Sequence, residues 1–177
     1  MGRERPDLST SIDKNIHHST LRERIVEHIF IGDALRILWG KGITNVEVFR
    51  SEFDAHGYDL AMAQRDIVRH IQLKTSLKKP TKIPIARSLA EKPSGCVICI
   101  QITPDLKLGP YYWFGGTPGN RLPYTSKFPN SMRPTRNKKG ERPIRKNYRE
   151  IALSKFDRVE NLPKVLEKLF GEANLHA

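Results

Sequence analysis

Apolar positions along the chain change period several times, and each change marks an element. In "STLRERIVEHIFIGDALRILWGKG" (residues 19–42) they recur at helical spacing, which predicts a helix with Ser19 or Thr20 as N-cap and Gly40 or Gly42 as its stop. "ITNVEVFR" alternates and is β-branched, so it reads as a strand. "YDLAMA" and "IVRHIQLK" follow as two more, with Gln64 to Asp66 at the bend. A short helix is expected around Ile85 to Ala90, closed by "EKPSG".

"CVICIQIT" is apolar enough for a strand buried on both faces, and "GPYYWFGG" is another strand, its aromatics suited to core packing. "IALSKF" is ambiguous. "NLPKVLEKLFG" sets Leu162, Val165, Leu166 and Leu169 on one helical stripe before Gly171. The order helix, three strands, helix, strand, then additions predicts an α/β sandwich around a small mixed sheet. Residues 1 to 18 are polar and aperiodic and are expected to form a flexible arm. Residues 19 to 177 then make one domain, as a length of 177 residues favours.

Pairing of the second and third strands has a chemical consequence. A two-residue turn of Arg65 and Asp66, or a four-residue loop closed by Ala63 and Val68, makes the numbers of facing residues sum to a constant. Asp59 then faces Gln72, with Lys74 further along the same face and Ile71 and Leu73 turned into the core. A carboxylate, an amide and an ammonium gathered at a strand end are costly to desolvate without a purpose. A divalent cation supplies one, since Mg²⁺ takes oxygen ligands and the Asp59 carboxylate and Gln72 carbonyl both offer them. Lys74 would orient a water and offset charge developing on a phosphodiester. On the first helix, Glu27 falls in the middle of the face that should pack on the sheet. It is either a capping acid near solvent or a third oxygen ligand, with Glu23 one turn earlier as the substitute.

Charge strengthens the nucleic-acid reading. The net charge is +12, and residues 121–149 hold ten Lys or Arg against the single acid Glu141, with four prolines and no aliphatic stripe. Such a segment is expected to be a phosphate-tracking loop. Its candidate contacts are Arg133, Arg136, Lys138, Lys139, Arg142, Arg145 and Lys146. Cys96 and Cys99 are spaced to point to opposite faces of their strand and read as buried thiols. His70 shares the Gln72 face, and Asp54 stands near Asp59 in sequence as an outer-shell candidate. No apolar run reaches membrane-spanning length and the N-terminus lacks a signal-peptide centre, so a cytoplasmic protein without a membrane partner is expected.

A Glu on the first helix, an Asp opening the second strand and "QLK" on the third, over roughly residues 20–103, resemble the PD-(D/E)xK nuclease superfamily, the restriction-endonuclease-like fold. The likeness is to bacterial members carrying Gln in place of the second acid. It implies an αβββαβ core with a mixed central sheet flanked by helices, here followed by a basic C-terminal extension and a terminal helix. It also implies Mg²⁺-dependent endonuclease cleavage of DNA, with Mn²⁺ as a substitute metal, in restriction, defence or repair. Carried over by position, Asp59, Gln72 and Glu27 are metal ligands and Lys74 the catalytic lysine. Pairing of two copies to cut both strands would make a homodimer. Tyr58 stands where many members have Pro, and neutral Gln72 removes one carboxylate. The alternative is therefore a catalytically inactive nucleic-acid-binding protein of the same fold. A third class is an assembly protein that places its basic segment on an acidic protein or on RNA.

Overall fold

The computed structural model describes residues 18–51, 57–123 and 125–175. The expected arm, up to His17, and the acids Glu52 and Asp54 lie outside the described residues. Helix α1 (Ser19–Gly40) buries Val26, Glu27, Phe30, Ala34 and Leu38, a stripe at near-fourfold spacing. His18, not Ser19 or Thr20, stands at the N-cap, and it makes no side-chain capping bond. At the other end the amides of Lys41, Gly42 and Ile43 return to carbonyls of the last turn. Gly42 adopts φ +77°, so it is the stop that the left-handed exit requires.

Strands β1 (Val46–Arg50), β2 (Leu60–Gln64) and β3 (Ile67–Ser76) form an antiparallel meander. Gln64 faces Ile67 across the two-residue turn, and the pairing runs on to Leu60 facing Ile71, in the expected register. Beyond them come β4 (Lys82–Ala86), β5 (Gly95–Ile102), β6 (Leu108–Gly115), β7 (Asn130–Met132), β8 (Ile144–Ala152) and β9 (Asp157–Val159). A mixed six-stranded sheet has the order β1-β2-β3-β5-β6-β9, with β3 and β5 parallel. A second sheet, β4-β8-β7, is antiparallel throughout.

Two expectations are corrected here. No α-helix spans Ile85 to Ala90: Lys82–Ala86 is a strand, and only a five-residue 3-10 turn (Arg87–Glu91) follows. Ile83 and Ile85 alternate with exposed Lys82 and half-buried Pro84 and bury themselves on one face, a two-residue period that a strand satisfies. The basic segment is likewise not a continuous loop, because β7 and most of β8 are built from it.

Central strand β5 separates two cores. Cys96, Ile98 and Ile100 pack with α1 and the terminal helix α2 (Leu162–Phe170), while Val97 and Cys99 pack with Ile83, Ile85 and Ile151 of the second sheet. The two cysteines thus face opposite sides, as their spacing requires. Tyr111 to Phe114 are buried in the same alternating way. Asn161 caps α2 by accepting from the Lys164 amide, and Leu162, Val165, Leu166 and Leu169 form its buried stripe.

Candidate active site and nucleic-acid interface

Gly57 opens the approach to Asp59 with φ +74°, and a Cβ on it would lie 2.5 Å from Ala86 Cβ and 2.6 Å from Ser88 Oγ. Only glycine lets the chain pass this close to the end of β4. Asp59 then holds the end of the β2-β3 ladder. Its carbonyl accepts from the Ser51 amide at 3.1 Å and its amide donates to the Ile71 carbonyl at 2.9 Å. Its carboxylate Oδ2 accepts from the Leu73 amide at 2.7 Å.

The constant-sum register therefore stops at Leu60, and Asp59 does not sit squarely across from Gln72. A side-chain acceptor has taken the amide that a continuing ladder would have used. Gln72 itself is 3% exposed, with its Oε1 accepting from the Ala86 amide at 3.3 Å. Ala86 ends β4, and its N–H would otherwise be an orphaned donor in a buried place. The Gln72 side chain is thus committed toward the second sheet.

The other expected groups do meet. Glu23, Glu27, Asp59 and Lys74 line one cleft of about 390 Å³ between the start of α1 and the ends of β2 and β3. Lys74 is half-buried, in parallel register with Cys99, and its ammonium has no hydrogen-bond or ion-pair partner among the described residues. Glu27 is 7% exposed and lies between two guanidiniums, Arg50 Nε at 2.9 Å and Arg24 Nη1 at 3.3 Å. Arg50 in turn reaches the His28 ring at 3.1 Å. The misfit acid is thus a buried, paired carboxylate, and the Arg50 partner was missed because it arrives from β1, 23 positions away in sequence. His70 lies outside this cleft: its Nδ1 is 3.0 Å from the Pro93 carbonyl and its ring stands edge-on to Tyr58.

Oxygen donors dominate the cleft, and neither His nor Cys lines it among the described residues. That donor chemistry fits Mg²⁺, with Asp59 and a glutamate as the side chains able to hold it. The described residues contain no cluster of three acid, His or Cys side chains close enough to hold a metal ion. Nearby thiols are inert by position. Burial pushes Cys96 up to about 12 against the pull of Arg69, and pushes Cys99 up to about 12 against the pull of Lys74.

The basic segment presents its charge at the tip between β7 and β8. Arg133, Arg136, Lys138, Lys139 and Arg142 are all exposed, and Arg145 and Lys146 follow on β8. The tip is closed by bonds from Arg133 N to Pro143 O at 2.8 Å and from Asn137 N to Glu141 O at 2.8 Å. None of the seven cations is in an ion pair among the described residues; Arg145, half-buried, lays its guanidinium over the Tyr148 ring. Compared with protein-family models, curated proteins and solved structures, the chain matches none of the three.

Proposed function

We propose that this chain is a metal-dependent DNA endonuclease of the restriction-endonuclease-like type, hydrolysing phosphodiesters in restriction, defence or repair. The observation that carries the reading is the meeting of Asp59, Glu27, Glu23 and Lys74 in one cleft, although they come from three separate elements. Asp59 and Glu27 would hold Mg²⁺, which when bound supplies Lewis acidity at the phosphate and a more acidic water. Lys74 offers its ammonium to the negative charge that builds on the phosphoryl oxygens during attack. Arg133, Arg136, Lys138, Lys139 and Arg142 grip the DNA backbone and set the salt dependence.

The test is incubation with supercoiled plasmid and with single-stranded DNA in Mg²⁺ or Mn²⁺, with EDTA, Asp59→Asn and Lys74→Ala as controls. Metal-dependent nicking lost in both variants is the expected result. Undiminished nicking in either would refute the assignment. One observation favours a second reading, a nucleic-acid-binding protein without cleavage: the Gln72 carbonyl is engaged by the Ala86 amide and Glu27 by two arginines. That reading predicts a salt-sensitive gel shift and no product.

A further inference from the structure

Beside the acid-lined cleft lies a second one of about 440 Å³, whose lining includes Gly57, Arg87, Ser88, Glu91, Asn147 and Tyr148. Consecutive residues separate the two, since Gly57 lines one while Tyr58 and Asp59 line the other. Its outer wall comes from an irregularity in β8. Asn130 of β7 faces Arg149, but Ser131 faces Arg145, so Lys146, Asn147 and Tyr148 have no counterparts on β7. Bulges of this kind redirect side chains out of the pleat. Here the redirection is visible: Arg145 and Tyr148, three apart and so on opposite faces of a regular strand, are brought together, with the guanidinium 3.6 Å from the ring centroid. Tyr148 meanwhile keeps register with Ala86 of β4, which anchors the bulge against the cleft.

The chemistry of this lining differs from that of the β7-β8 tip. One cation, Arg87, and one acid, Glu91, leave it near neutral, whereas the tip from Arg133 to Arg142 carries five cations and one acid. A near-neutral cavity with an aromatic ring, an amide and a carboxylate suits the face and edge of a base, while the tip suits phosphates. The volume falls within the range of small-ligand pockets. We infer that this second cleft receives an unpaired base of the DNA strand whose backbone enters the acid-lined cleft, stacking it at the Arg145-backed Tyr148 and offering Asn147 and Glu91 to its edge. This rests on the nuclease-like reading for the placement of the strand, and it adds a preference for single-stranded or locally opened DNA.

Binding in EDTA separates this inference from catalysis. The probe is a single-stranded oligonucleotide carrying 2-aminopurine, compared with its duplex, by fluorescence intensity and anisotropy. Wild-type protein is expected to bind the single strand and quench the fluorophore. Tyr148→Ala should weaken single-strand binding on the order of 10-fold and abolish quenching, with duplex binding held within about 2-fold. Tyr148→Phe should retain both, and the exposed Asn147→Ala should weaken single-strand binding by a few-fold. Because the readout is binding in EDTA, absence of cleavage would defeat the enzymatic reading and leave this one standing. Quenching and affinity unchanged in Tyr148→Ala, or no quenching by the wild type, would overturn the inference even if the plasmid is nicked.

Discussion

Replacing Gly57 with Ala tests whether the strand entry carrying Asp59 is built as described. The new methyl would stand 2.5 Å from Ala86 Cβ, 2.6 Å from Ser88 Oγ and 3.2 Å from the Leu89 amide nitrogen, at a backbone φ of +74°. The left-handed conformation costs an alanine about 1 kcal/mol, and forcing a methyl into packed atoms adds about 1–3 kcal/mol. The expected loss is therefore roughly 2–4 kcal/mol. Gly140 is the control, because it has φ +78° and a Cβ added there would meet nothing within 4 Å, so Gly140→Ala should show at most about 1 kcal/mol. Urea denaturation followed by circular dichroism and by fluorescence of the buried Trp113 measures both. Their difference isolates the steric part. If Gly57→Ala comes within about 0.5 kcal/mol of Gly140→Ala, the turn does not press on the end of β4, and Asp59 is not positioned by that contact.

Other expectations follow from the same structure. Cys96 and Cys99 should resist a thiol reagent at pH 8 until urea is added; and because an unfolded thiol ionises near 9 while each folded one waits until about 12, the unfolded chain sheds protons first and stability should fall from pH 9 to 12, by up to ~1.4 kcal/mol per pH unit per thiol, which denaturation at stepped pH would reveal. Gln72→Leu should cost about 1–2 kcal/mol in a urea melt, because the Ala86 amide loses its acceptor; unchanged stability with lost metal binding would instead make Gln72 a ligand. Neutralising Arg136, Lys138, Lys139 and Arg142 together should lower the slope of log affinity against log salt by roughly one per phosphate contact removed, and an unchanged slope would take the tip out of the DNA interface.

Local pattern carried the hairpin, because a two-residue turn and a pleat of period two leave one register for Leu60 to Gln64 against Ile67 to Ile71. The helix acid was legible too: Glu27 breaks an apolar stripe, and it is indeed buried. Long-range competition hid the rest. Nothing adjacent to Gln72 in sequence announces that the Ala86 amide, 14 residues on, needs its carbonyl. Ile85 and Ala86, the end of β4, were read together with the turn after them, since so short a stretch fits either period until β8 supplies a partner. The charge of residues 121–149 masked two strands, because exposed cations on a small sheet look like loop until its apolar side, Ile151 against Ile83, is seen.

That small sheet bears on how such a chain can diversify. The cationic tip is not an appendage spliced onto a finished domain: β8 runs from Ile144 through Ile151 into the second core and pairs with β4, whose last residue takes the Gln72 carbonyl. Grafting in another binding segment would tear out part of the scaffold beneath the acid-lined cleft. Residues 133–143, between the paired strands, are where length and charge can drift without that penalty, so under the proposed nucleic-acid reading new targets should be reached by editing that tip rather than by exchanging modules.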